Sequence, residues 1–250
     1  MAQDLPRGFR RIAFESVGST NDEAKRFAAA GASDGLIVTA GEQRAGRGRL
    51  GRDWSSPPGN LYASFVTRPD IPLRRAAEIA FVAAVAVHDT AHALAPSHDA
   101  RCKWPNDLLV DGRKICGILA EATARPNGKT DFIVVGFGIN VAHHPAESRW
   151  PATSFAALGL NASPDDVLAG LAAAFAHWRQ AWETKGFEPI RAAWSQRSFE
   201  IGRTMSLNLG KGEIEGGFAG IDGNGGLLLD LAGGRRETIS YGEVTRLEAR

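Results

Sequence analysis

Cysteine, methionine and tyrosine are scarce in these 250 residues, with two of each. Cys102 and Cys116 have no C-x-x-C spacing, so no thiolate metal site or disulfide framework is encoded. A reduced compartment is expected, with one Cys102–Cys116 bridge as the alternative. An excess of either charge is also lacking. Lys and Arg number 29 against 28 Asp and Glu, a net charge of +1. That balance excludes a molecule whose whole surface grips a polyanion. The N-terminal MAQDLPRGFRR carries no apolar core of a leader peptide. The longest uninterrupted apolar run, Ile79 to Val87, is nine residues, against the roughly twenty that a membrane span needs. A cytoplasmic protein without a membrane segment is expected.

What is abundant is glycine, at 29 residues, so turns and backbone-lined surfaces should be frequent. Strands are expected at 10–17, 36–40, 60–67, 100–104, 107–110, 114–120 and 131–141. Helices are expected from Thr20, over 74–95, from Ser163-Pro164-Asp165-Asp166 to Lys185, and over 188–198. Thr20 and Glu23 have the spacing of a capping box, and Gly31 suits the left-handed position after a helix. Beyond residue 200 only short β-like runs remain, separated by Gly, Asn and Asp. The reading is an α+β domain over 1–200 and a small β-barrel over 201–250.

Residues 41–54, GEQRAGRGRLGRDW, hold four arginines and four glycines. Gly46, Gly48 and Gly51 match G-x-G-x-x-G. A dinucleotide-binding loop must open a helix, though, and RDWSSPPGN follows Gly51 instead. No Gly-Lys-Ser/Thr follows either, so this is no P-loop. One basic loop on a near-neutral chain is too little for nucleic acid. The remaining reading is a loop for a small phosphorylated compound, with glycine N–H groups and arginine forks aimed at its oxygens. Such a loop is expected to repel itself when empty and to close as a lid on an anion.

Three further stretches are marked. Ser19-Thr20-Asn21 puts three hydrogen-bonding side chains at a helix start, more than capping needs. KWPNDLLVDGRKICGILAE packs Lys103, Asn106, Asp107 and Lys114 among strands, where an unpartnered lysine is rare; Lys114 beside Gly117 could stabilise a carboxylate or phosphate. In Gly136-Phe137-Gly138-Ile139-Asn140 glycines interrupt a buried strand, a sign of close ligand approach, and Asn140 could read a base edge or ribose hydroxyl. His88 and His92 have zinc-helix spacing without a third ligand and read as a polar helix face, and His143-His144 as a loop pair. No protein metal site is assigned.

In this order, Gly18-Ser19-Thr20-Asn21, the stretch from Gly41 through Arg52 to Trp54, Lys103-Trp104-Pro105-Asn106-Asp107, Arg113-Lys114 with Gly117 and Glu121, and Gly138-Ile139-Asn140 resemble the biotin–protein ligases. The C-terminal GIDGNGGLLL…SYGEV is similar to that family's small SH3-like barrel. The resemblance implies a class II synthetase-like α+β catalytic domain with a mixed sheet. It implies ATP-driven formation of biotinyl-5′-AMP with Mg²⁺, then biotin transfer to a lysine of a biotin carboxyl carrier domain. By that match Ser19, Thr20, Asn21 and Gln43 hold the ureido and neighbouring groups. Arg47, Gly48 and Arg49 hold the carboxylate and phosphate region, and Gly117 lines the biotin site. Lys114 contacts the carboxylate or α-phosphate and, with Arg49, carries the catalytic role. Arg52, Trp54, Asn106, Asp107 and Asn140 shape the nucleotide side. Position 50 is Leu where some relatives carry a basic residue. With the catalytic pattern starting by residue 10, a monofunctional ligase without DNA binding is expected. The resemblance leaves monomer and homodimer open. A lipoate–protein ligase and a non-catalytic biotin-binding protein are the alternatives.

Overall fold

The computed structural model describes residues 5–210 and 212–248; the first four residues of the stretch read for a leader lie outside these, as do the last two of the expected barrel. A seven-stranded sheet contains β1 (Arg10–Val17), β2 (Leu36–Gln43), β3 (Leu61–Thr67), β4 (Ala100–Lys103), β5 (Asp107–Val110), β6 (Arg113–Ala124) and β7 (Thr130–Ile139). Their order is β1-β2-β3-β7-β6-β5-β4. Only β1 and β2 run parallel, joined by helix α1 (Thr20–Ala29); the other neighbours are antiparallel. This is the mixed sheet of an α+β domain.

The strand pleat sorts side chains onto two faces. Leu36, Val38, Val66, Phe132 and Val134 meet Ala24 and Ala28 of α1 on one face. Ile37, Phe65, Ile133, Val135 and Phe137 point the other way, into the main core with α2 (Ile79–Leu94), α3 (Pro164–Lys185) and α4 (Glu188–Gln196). Phe65 lies 5.1 Å from Phe137 and 5.3 Å from Phe175 of α3, ring edge to face, the geometry that aromatic quadrupoles favour. The single helix expected over 74–95 is divided: a 3₁₀ turn covers Leu73–Glu78 before α2 begins. Taken together, Leu73–Leu94 has the length and apolar composition of a membrane span. Most of its apolar residues, among them Ile79 and Phe81 to Val87, are buried between the sheet and α3, which explains so apolar a helix.

The start of α3 is as its residues dictate. Asp166 N–H donates to Ser163 Oγ at 3.1 Å, and Ser163 N–H donates back to the Asp166 carboxylate at 3.0 Å. Pro164 fills the first turn and Gly186 ends the helix at φ +78°. The start of α1 differs from expectation. Ser19, not Thr20, holds the N-cap position and its side chain makes no capping bond, while Thr20 N–H donates to Gln43 Oε1 at 2.9 Å.

The second sheet is antiparallel, β8 (Thr204–Asn208), β9 (Glu213–Ile221), β10 (Leu227–Asp230), β11 (Arg236–Ile239) and β12 (Glu243–Leu247), in the order β11-β10-β9-β8-β12. It forms the small SH3-like module. β12 is a strand the sequence did not signal. The two sheets share one continuous core. Trp194 of α4 packs on Phe218 of β9, and Trp104 Nε1 donates to Gly225 O at 3.0 Å across the junction.

Gly225 seats this junction. Its φ is +84°, and a β-carbon there would stand 2.4 Å from Phe81. Gly225→Ala is therefore expected to destabilise the whole protein by about 1–3 kcal/mol in urea titration. A loss below about 0.5 kcal/mol, the range of an indifferent surface change, would contradict this packing.

Candidate active site

The face of the sheet that lies under α1 continues beyond the helix as an open floor. Along β7 the residues on this face are Phe132, Val134, then Gly136 and Gly138; along β6 the partners of the last three are Glu121, Leu119 and Gly117. Apolar side chains thus give way to glycines where α1 stops covering the sheet. A pocket of about 140 Å³ opens there, walled by α1, residues 43–54 and the Lys103–Asp107 turn.

The glycines were expected to admit a ligand, and the structure corrects this in part. The groups that approach them are the protein's own. A β-carbon at Gly138 would lie 2.5 Å from the Trp54 indole, and one at Gly117 would lie 2.9 Å from it. One at Gly136 would lie 2.2 Å from Asn21 Oδ1. The glycines make room for the pocket's side walls as well as its floor.

One end of the pocket is polar and uncharged. Thr20 N–H and Oγ1 both contact Gln43 Oε1, at 2.9 and 3.0 Å. Gln43 Nε2 donates to Ser56 Oγ at 3.0 Å, and Ser56 donates to Trp54 O at 2.9 Å. Ser64 Oγ, rising from β3, lies 2.8 Å from Thr20 Oγ1 and 2.6 Å from Asn21 Oδ1. Asn21 Nδ2 donates to Glu121 Oε2 at 2.8 Å and to Leu119 O at 3.3 Å. Ser19 lines the same end.

The other end is cationic. Asp107 is buried and lies between two lysines, Lys103 Nζ at 3.0 Å and Lys114 Nζ at 2.6 Å. The Lys103 side chain is only 1% exposed. Burial pushes the Asp107 carboxyl up, but the two ammonium groups outweigh it and hold it below the ordinary 3.8. Lys103 also sits over the Trp150 ring at 4.5 Å and Lys114 over Trp54 at 5.4 Å. Backbone bonds from Lys114 N to Pro151 O and from Thr153 N to Lys114 O fix the strand that carries Lys114. Arg49 donates to Asn106 Oδ1 at 3.3 Å, while Asn106 Nδ2 is anchored on Ile118 O at 2.7 Å. Burial disfavours the charge of Arg49, while the Asp107 and Glu243 carboxylates favour it from a distance without an ion pair among the described residues.

The loop is less self-repelling than expected: Arg52 still acts against the charge of Arg49, but Arg47 and Arg52 are both paired. Arg47 makes a bidentate pair with Asp22, at 2.6 and 2.8 Å, and Arg52 one with Glu243 of β12, at 2.7 and 2.6 Å. The Arg47 fork holds Asp22 below the usual carboxylate range, and Arg52 does the same for Glu243. The expectation of a mutually repelling empty lid is thus corrected: two of its charges are satisfied by acids distant in sequence. A 3₁₀ turn, Arg49–Gly51, ends at Gly51, and no dinucleotide-type helix follows before β3.

Of the residues singled out in the sequence, the pocket brings together Ser19, Thr20, Asn21, Gln43, Arg47, Gly48, Arg49, Arg52, Trp54, Asn106, Asp107, Lys114 and Gly117. Asn140 stands apart from it. Its Nδ2 donates to Thr153 O at 2.9 Å, and it lines an adjoining outer cavity of about 550 Å³ shared with Trp54, Lys114 and Trp150. His88 and His92 stack on α2, with His88 bonded to Asp89. Ser56, Ser64, Glu121 and Glu243 were not among the residues assigned to the site. Ser64 carried a signal, as a small hydroxyl in the middle of the largely apolar strand LYASFVT; Glu243 carried none.

Residues 13–140 match the biotin/lipoate A/B protein ligase family, and residues 201–246 match the biotin protein ligase C terminal domain. The chain is 39% identical to a biotin–[acetyl-CoA-carboxylase] ligase of Paracoccus denitrificans over 90% of this chain and 96% of that protein. It is 34% identical to the bifunctional ligase/repressor BirA of Bacillus subtilis, over 93% of this chain and 73% of that one. Its structure is similar to that of biotin protein ligase from Aquifex aeolicus in complex with biotin and ATP, with a TM-score of 0.80 and 27% identity, covering 96% and 99% of the two chains.

Removing the carboxylate charge would leave the buried Lys103 ammonium and the half-buried Lys114 ammonium uncompensated. Asp107→Asn is expected to cost about 3–5 kcal/mol at pH 7 in chemical denaturation. Asp107 ionises more readily folded than unfolded. Its contribution is therefore present above the ordinary 3.8 and is lost as pH falls through the depressed folded value. The variant should show a shallower loss of stability on acidification than the wild type. Parallel acid limbs would contradict the pairing.

Proposed function

The chain belongs to the biotin/lipoate A/B protein ligase family, and on that premise we propose that it activates biotin with ATP and passes it to a lysine of a biotin carboxyl carrier domain. The observation that carries the reading is the pocket's polarity. A neutral end of amides and hydroxyls suits a cyclic urea. At the other end Lys103 and Lys114 flank a single carboxylate, and Arg49, bonded to Asn106, adds a third positive charge.

In the first step a biotin carboxylate oxygen bonds to the α-phosphorus of ATP, and the bond to the bridging oxygen breaks to release pyrophosphate. Two anions must meet, so the barrier is electrostatic. Lys114 and Arg49 stand where the negative charges converge and stabilise them without rearranging. Lys103, held behind Asp107, keeps that carboxylate from cancelling Lys114. Thr20, Gln43, Asn21 and Ser19 hold the ureido group, with the ring against Trp54 and Gly117. Arg47, Gly48 and Arg52 shape the phosphate side, and Asn106 orients Arg49. Asn140 acts as a strut that ties the end of β7 to the segment behind Lys114. In the second step the acceptor amine attacks the acyl carbon of the mixed anhydride and AMP leaves.

Among the described residues no three His, Cys, Asp or Glu side chains converge as a metal site, and the Asp107 carboxylate is occupied by lysines. Mg²⁺ therefore fits as part of the nucleotide substrate, held by its phosphates, and no step is assigned to it. The near-neutral charge of the chain supports a ligase that does not bind duplex DNA.

Incubation with biotin, ATP, Mg²⁺ and a carrier domain is expected to add one biotin by intact mass. No mass shift, together with no pyrophosphate release, would overturn the assignment. Lys114→Ala should slow adenylate formation by about 2–4 kcal/mol of barrier, read as biotin-dependent ATP–pyrophosphate exchange; a wild-type rate would remove Lys114 from the chemistry. Arg49→Gly should release adenylate and label lysines of unrelated proteins. Labelling confined to the carrier domain would show that Arg49 does not retain it.

A further inference from the structure

The outer cavity has one wall that neither strand nor helix supplies. Pro145, Glu147, Ser148 and Arg149 line it from the stretch that leaves the end of β7 and returns to β6 at Ala152. Residues 142–149 are exposed, so little apolar burial holds their course. The position of this wall rests on the two ends of the stretch.

The returning end is held by β6 and the turn before it. Lys114 N–H donates to Pro151 O at 2.6 Å and Thr153 N–H to Lys114 O at 2.9 Å. Trp150 Nε1 donates to Gly112 O at 2.9 Å. The leaving end hangs on one side chain. Asn60, buried just before β3, accepts at Oδ1 from three successive backbone N–H groups: Val141 at 2.8 Å, Ala142 at 3.0 Å and His143 at 3.0 Å. Its Nδ2 donates to His143 O at 3.0 Å. For the N–H groups of Val141 and His143 it is the sole acceptor among the described residues. One oxygen held by three successive N–H groups is bound as a backbone nest binds an anion. Gly59 permits the approach: its φ is +99°, and a β-carbon there would lie 3.1 Å from Ala142 Cβ. Between the ends the ties are long, from the His144 ring to Ser154 Oγ at 3.2 Å and from Arg149 to Glu243 at 3.5 Å.

Asn60 lines neither the inner pocket nor the outer cavity. We infer that Asn60 is a positioning residue for the nucleotide: by pinning residues 141–143 it sets the 145–149 wall before ATP arrives, so that binding does not have to order it. The inference rests on the ligase reading, which gives the nucleotide side to Arg52, Trp54, Asp107, Lys114 and Asn140, all of which line this same cavity. Lys114 is fixed from the returning end, and Thr20 and Asn21 line the inner pocket without reaching the outer one. Asn60 therefore acts on ATP affinity and leaves biotin binding and the chemical step in place.

The test is biotin-dependent ATP–pyrophosphate exchange by the full chain, with ATP and biotin varied in turn. Asn60→Ala releases the leaving end. The KM for ATP should rise about tenfold, the scale of ordering one more residue on binding. The KM for biotin and kcat should stay within about twofold of the wild type, the pattern of lost ground-state binding of one substrate. Pro145→Gly loosens the same stretch at an exposed position without touching Asn60, and should raise the KM for ATP about two- to fivefold. If Asn60→Ala does not fold, Pro145→Gly decides. If the folded variants keep the wild-type KM for ATP, or if both KM values and kcat change together, the inference is overturned while the ligase assignment stands. Absence of exchange in the wild type would overturn both.

Discussion

One buried carboxylate shared by two lysines is the constraint around which the site is arranged. Asp107 alone would cost several kcal/mol to bury, and so would either lysine. Together they place a net positive charge inside the protein, beside a half-buried arginine. That charge is stable only because β4, β5 and β6 hold the three side chains in register, with Lys103 opposite Asp107 and Asp107 opposite Gly117. An incoming anion meets donors already in position, so little reorganisation is left for the moment of reaction.

The two-residue pleat is the second organising device. On β7 it delivers Phe132 and Val134 to the underside of α1 and then, on the same face, Gly136 and Gly138 to the pocket. On β3 it turns Ser64 toward Thr20 and Asn21 while Phe65 goes to the opposite core. The register that buries the apolar residues also sets the hydrogen-bonding end of the site, and a one-residue slip would destroy both.

Local chemistry was legible in the sequence. The helix start at Ser163-Pro164-Asp165-Asp166 and the Gly31 helix end each depend on residues within a few positions of one another, and each is seen. The glycine-arginine loop and the Lys103–Asp107 stretch could be marked as a site from their composition. The loop's charge state could not, because Asp22 and Glu243 lie 25 and 191 positions from the arginines they bind. Glycines inside a strand signal close approach, but not whether a ligand or Trp54 approaches. β12 escaped notice because Glu-Val-Thr-Arg-Leu buries one side chain fully, too few for an alternating pattern. The N-cap is Ser19, one residue before the capping-box Thr20, whose N–H and hydroxyl are both turned to Gln43, distant in sequence.

The shared core at the junction has a bearing on engineering. Gly225 packs on Phe81 and accepts from Trp104, and Trp194 bridges Phe81 and Phe218, so the C-terminal sheet is a wall of the same interior as the larger sheet. A shortened enzyme ending near residue 200 would not be a miniature ligase. It would present a fresh aromatic scar to water, large enough to invite clumping, and would lose the acid that tethers Arg52. Fusion partners and tags belong at the chain ends, and this seam should be left intact.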